Sequence, residues 1–202
     1  MKDLQLTQAK LKATGIGAFF RARDLSPLAV SFQEIQRLVA AGSIEKVWRD
    51  LYRLAEAEQN QFESIAMVSS AVPSGIVCLL SALRFHDIGT QSPREIWIAL
   101  DRKARKPASV PTAIRIVRFS GPMLTYGVER HSILGVPLRI TSPARTVVDC
   151  CRYRNKLGLD VALEALREAL RMRITTVDEI ARAAEVCRAR TVMRPYLEVL
   201  AS

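Results

Sequence analysis

Residues 31–54, SFQEIQRLVAAGSIEKVWRDLYRL, decide how the first part of the chain is read. Ser31 followed three positions later by Glu34 is a capping-box pattern for the start of a helix. Phe32, Ile35, Leu38 and Val39 then share one face by three/four spacing, with Gln33, Gln36, Arg37 and Ala40 on the other side. Gly42 closes the helix. IEKV (44–47) alternates apolar and polar, WRD (48–50) makes a turn, and LYRL (51–54) alternates again. That period of two predicts a hairpin.

Upstream, TQAKLKATG (7–15) reads as a first helix ended by Gly15 and Gly17. FRARDL (20–25) reads as a second short helix, stopped at Ser26–Pro27. Three short helices and a hairpin make the winged helix-turn-helix order, in which the third helix enters the major groove of DNA. On that helix Gln33, Gln36 and Arg37 are the candidates for base edges, and Ser31 caps and can touch phosphate. Lys46, Arg49 and Arg53, in or beside the hairpin, are placed to meet phosphates. The same module also serves as a protein-interaction domain.

AEAEQNQ (55–61) reads as a hinge, which sets domains at 1–58 and 59–202. Beyond it, FESIAMVSSAV and GIVCLLSALRFH read as helices parted by Pro73–Ser74. REIWIALD (94–101) is apolar enough for a strand buried on both faces. AIRIVRFS (113–120), with arginines on one face, GVERHSILG (127–135) and VPLRIT (136–141) read as further strands of a mixed sheet. In TSPARTVVDCCRYRN, Ser142 is an N-cap and Pro143 the first helical residue. Leu159, Leu163, Leu166 and Leu170 form a helical stripe, and two more helices follow. The fold class is therefore α+β: a winged helix-turn-helix, then a mixed-sheet domain with several helices.

The chain of 202 residues has a net charge of +10, of which +2 lies in residues 1–58 and +8 in residues 59–202. Such a surplus favours a polyanionic partner. Arg102, Lys103, Arg105 and Lys106, with Arg152, Arg154 and Lys156, are candidate auxiliary phosphate contacts. The longest apolar run, GIVCLLSAL (75–83), is far short of the roughly 20 residues of a membrane helix. The beginning MKDLQLTQAK lacks a signal-peptide core, so a cytoplasmic protein is expected. Cys78, Cys150, Cys151 and Cys187 form no C-x-x-C pair, which favours buried reduced thiols.

The enzyme alternative is a metal-dependent nuclease of the PD-(D/E)xK kind, with Asp87, Asp101 and Lys103 at the end of an apolar strand. No helix-borne Glu or Gln completes that set. There is no nucleotide-binding glycine loop and no Ser/His/Asp context. His86 and His131 read as structural, and Arg145 and Asp149 as an intrahelical pair. No catalytic residue, metal or cofactor is expected.

The segment FFRARDL…SFQEIQRLVAAGSIEKVWRDLYRL resembles the N-terminal winged-helix domain of the AbiEi-family antitoxins of bacterial type IV toxin–antitoxin systems. GVPLRITSPARTVVDCCRYRNKLGLDVALEALREAL resembles their C-terminal domain. The resemblance implies a transcriptional autorepressor that binds inverted repeats of double-stranded DNA in its own promoter, as a monomer or dimer. It also implies a C-terminal domain that counters a nucleotidyltransferase-like toxin without a stable complex, and no enzymatic activity. A regulator with no toxin partner fits the same residues. The family commonly carries Gly in the wing turn where this chain has Asp50.

Overall fold

A computed structural model of the chain describes residues 17–57 and 60–201, with side chains as far as residue 198. The expected helix over 7–15 and the middle of the expected hinge lie outside the described residues. The chain divides into two compact units. The first runs through Pro73 and takes in Ser109–Thr112 and Ser132–Leu138; the second holds Ser74–Ala108, Ala113–His131 and Arg139 onward. The first unit therefore extends well past the boundary expected at residue 58.

In the first unit, β1 (Phe19–Arg21), β2 (Ile44–Trp48) and β3 (Leu51–Leu54) form an antiparallel sheet in the order β1-β3-β2. A 3-10 segment (Ala22–Leu28) and helix α1 (Phe32–Ala40) lie between β1 and β2, and α2 (Glu63–Ala71) follows. The capping box forms as read: Ser31 Oγ accepts from the Glu34 amide at 3.2 Å, and the Ser31 amide donates to Glu34 Oε2 at 2.7 Å. Phe20, Leu25, Ile35, Leu38, Ile44 and Tyr52 make the core.

Two expectations change here. Phe20 and Arg21 belong to a strand, because Phe20 pairs with Tyr52 across the sheet and stacks on its ring at 6.0 Å. The 3-10 segment then continues through Pro27. Phe32, expected on the inner face of α1, is instead 66% exposed. It is the helix's first residue, whereas Ile35 and Leu38 further along are buried.

In the second unit β4 (Ile76–Val77), β5 (Ile96–Asp101), β6 (Ile114–Phe119), β7 (Val128–Ile133) and β8 (Val136–Thr141) pair in the order β6-β5-β4-β8-β7. β4 is antiparallel to β5 and parallel to β8, and β5 is parallel to β6, so the sheet is mixed as expected. The tip of the β7–β8 hairpin counts with the first unit, where the Ala18 amide donates to the Leu134 carbonyl at 2.5 Å. A Cβ on Gly17 or Gly135 would collide with the other's backbone, so both positions need glycine. The helices are α3 (Leu79–Phe85), α4 (Pro143–Arg152), α5 (Arg154–Leu157), α6 (Leu159–Arg171), α7 (Val177–Val186) and α8 (Arg190–Ala201).

Residues 75–86 were expected to form one helix; Ile76 and Val77 instead bridge β5 and β8 in the middle of the sheet. The two arginines of β6 do not share a face, since residues three apart in a strand point opposite ways. Arg115 lies over the Trp97 ring at 5.2 Å, whereas Arg118 donates to the Asp101 and Ala104 carbonyls. Of the expected leucine stripe on α6 Leu166 alone is buried, Leu159 being 47% exposed, and Val161, Ala162, Ala165 and Ala169 make up the rest of the buried side. Small residues let α6 approach the buried helix α4 closely. All four cysteines are buried and free.

Candidate functional site

The outward side of α1 carries Gln33, Gln36 and Arg37, all exposed. No hydrogen bond or ion pair ties their side chains to another described residue. Ile35 and Leu38 hold the opposite side in the core, which fixes the direction in which these three side chains point. The helix begins at the Ser31 cap, also exposed.

The hairpin supplies Lys46 and Arg49, both exposed. Arg49 takes a positive φ of 33° at the turn, and its guanidinium sits 5.0 Å from the centre of the Trp48 ring. Arg53 differs from the other candidates. Its side chain is 14% exposed and pairs with Glu63 at 2.9 Å and Glu45 at 3.7 Å, while donating to the Ala57 carbonyl. It braces β3 against α2 and is not free to meet a phosphate. Asp50 is held by Arg21, whose Nη1 lies 3.2 Å from its carboxylate and whose Nη2 donates to the Ser70 and Ala71 carbonyls. The anion at the turn is therefore neutralised from within. Nothing in the spacing of Arg21 and Asp50 announces that pair.

In the second unit Arg102, Lys103, Arg105 and Lys106 line an exposed loop after β5. Arg152 and Arg154 are partly engaged inward, Arg152 on Met123 Sδ and the Cys187 carbonyl, Arg154 on the Cys151 carbonyl. Lys156 lies over the Tyr153 ring at 5.7 Å. Of the nuclease set, Asp101 accepts from the Lys103 amide at 2.7 Å to form a turn, and Asp87 is exposed in the turn after α3. Among the described residues no group of three His, Cys, Asp or Glu side chains is arranged to hold a metal ion. Nor is any helix there long and apolar enough to cross a membrane.

No protein-family model matches this chain, and no curated protein matches it.

Two features of the second unit escape sequence reading. Arg145 and Asp149, read as an intrahelical pair worth a few tenths of a kcal/mol, are both fully buried. Arg145 Nε donates to Asp149 at 2.8 Å and its guanidinium to the Tyr126 and Met123 carbonyls at 2.7 and 3.2 Å, over the Phe119 ring. Asp149 Oδ1 has no partner among the described residues, and burial, outweighing Arg145, raises its pKa to about 6. This is a structural clamp between α4 and the loop before β7.

His86 and His131 share a groove of about 610 Å³ with Glu129, Ser142, Glu179 and Arg182. His86 Nε2 donates to the Thr141 carbonyl at 2.7 Å, and burial lowers its pKa, so Nδ1 carries the lone pair. His131 Nε2 meets Glu129 at 3.0 Å, and the edge of Phe85 packs on both imidazoles.

Proposed function

We propose that the protein is a DNA-binding autorepressor, a winged helix-turn-helix whose recognition helix is α1 and whose wing is the β2–β3 hairpin. We further propose that it acts as the antitoxin of a type IV toxin–antitoxin pair in the bacterial cytoplasm. The observation that carries the DNA reading is the outward row of Gln33, Gln36 and Arg37, side chains that pair with base edges, on a helix anchored by its other face. The β1-β3-β2 sheet, with α1 entering the hairpin, supports it, being the strand order a winged helix uses. Ser31, Lys46 and Arg49 would hold phosphates around that row, and the net charge of +10 suits a polyanion. Exposed Arg102, Lys103, Arg105, Lys106 and Lys156 would extend the electrostatic footprint.

The antitoxin half rests on the resemblance of residues 135–170 to the AbiEi C-terminal domain. Two experiments test the two halves separately. Footprinting on DNA upstream of the gene should reveal protected inverted repeats, and their absence would remove the repressor reading. Co-expression with a nucleotidyltransferase-like toxin encoded beside the gene, where there is one, should restore growth without the two co-purifying. Continued toxicity would remove the antitoxin reading.

A further inference from the structure

The exposed ring of Phe32 stands on the same side of α1 as Gln36, one helical turn away, and next to Gln33 in the chain. Single exposed apolar side chains are common and carry no meaning by themselves. This one is the most exposed large hydrophobic residue described, at 66%, against 47% for Leu159 and 41% for Met172. It also sits where a recognition helix reaches deepest, since the N-terminal residues of such helices contact base edges. A phenyl ring offers no hydrogen bond. The one apolar group that a base presents in the major groove is the C5-methyl of thymine.

We propose that Phe32 is a specificity residue that packs on a thymine methyl in each operator half-site, beside the base edge read by Gln36. The inference rests on the DNA-binding reading and adds to it the chemical identity of one operator position. Water has access to the ring in the free protein, so binding buries both the ring and the methyl. The gain depends on the methyl, and the polar neighbours do not supply it.

The test replaces thymines of the promoter fragment by uracil, one position at a time, which removes only the methyl. Affinity of the full-length protein is then measured by fluorescence anisotropy at fixed salt. Burying one methyl-sized group corresponds to about fourfold in Kd. A single uracil at that position should therefore weaken the natural protein by about fourfold. Phe32→Ala should bind the thymine operator less tightly and be indifferent to that uracil, while Phe32→Leu should keep part of the sensitivity. Because the ring is exposed, both variants should unfold at the natural protein's urea midpoint. The proposal falls if no uracil matters, or if Phe32→Ala is as sensitive as the natural protein. It also falls if Phe32→Ala changes only self-association in sedimentation. If the natural protein does not prefer its own promoter at all, the DNA reading fails as well, and that outcome is visible before any uracil is introduced.

Discussion

Replacing Arg145 by Met leaves a guanidinium-sized hole in the charge balance of α4 while keeping an apolar stem over Phe119. Asp149 then has neither oxygen paired, since Oδ1 is already without a partner and Oδ2 bonds only to Arg145 Nε among the described residues. The Tyr126 and Met123 carbonyls lose their donors as well. Breaking a buried ion pair from one side costs about 3–5 kcal/mol. Against a usual total of about 5–15 kcal/mol, that brings the second unit close to unfolding. The loss should depend on pH with a definite sign. In the natural protein Asp149 has a folded pKa of about 6, above its ordinary value of 3.8. Its contribution to stability is therefore full below the unfolded pKa and disappears as pH rises through 6. Removing Arg145 takes away an influence that lowers this pKa, so the proton is held more tightly and the variant loses more at pH 8 than at pH 6. Urea unfolding followed by Trp97 fluorescence in a Trp48→Phe background reads the second unit alone. A loss of about 0.5 kcal/mol or less, the worth of an exposed i,i+4 pair, or one that is the same at both pH values, would refute the clamp.

Arg37→Ala should reduce specific operator binding by roughly 1–3 kcal/mol, whereas Lys46→Ala should weaken all sequences alike; competition titrations with operator and shuffled DNA separate the two. Arg49→Gly should stabilise the protein by about 1 kcal/mol, because the position has a left-handed φ of 33°. The same change should flatten the dependence of DNA affinity on salt by about 0.9 log–log units, so thermal unfolding and anisotropy should move in opposite directions. Burial raises the pKa of all four thiols, those of Cys151 and Cys187 to about 11. A thiol reagent at pH 8 should therefore find none of them in the native protein and all of them in denaturant, and one fast-reacting cysteine would contradict their placement.

Local chemistry made the first unit's best elements legible. The Ser31–Glu34 box, the closing Gly42 and the alternation on either side of residues 49–50 each name an element without reference to the rest of the chain. Long-range pairing hid the others. Ile76 and Val77 are a strand only because β5 and β8 flank them, and two residues carry no period. Phe20 looks helical until Tyr52 is beside it. Among the candidate contacts, Arg37 and Arg53 are alike as letters. Burial against Glu63 and Glu45 separates them, and no spacing rule encodes that. The i,i+4 distance of Arg145 and Asp149 is likewise the same for a surface pair and for a buried clamp. His86 and His131, distant in sequence, meet in one groove only because β7 and α3 converge there.

The central claim is that α1 reads DNA. Binding of the full-length protein to DNA from upstream of its own gene, against a shuffled fragment and over a range of salt, tests it most directly. Selective, salt-sensitive binding that leaves the DNA intact in magnesium is expected, with selectivity lost when Gln33, Gln36 and Arg37 are replaced together by Ala. Binding that is equally weak on both fragments, or selectivity unchanged in the triple variant, would contradict it.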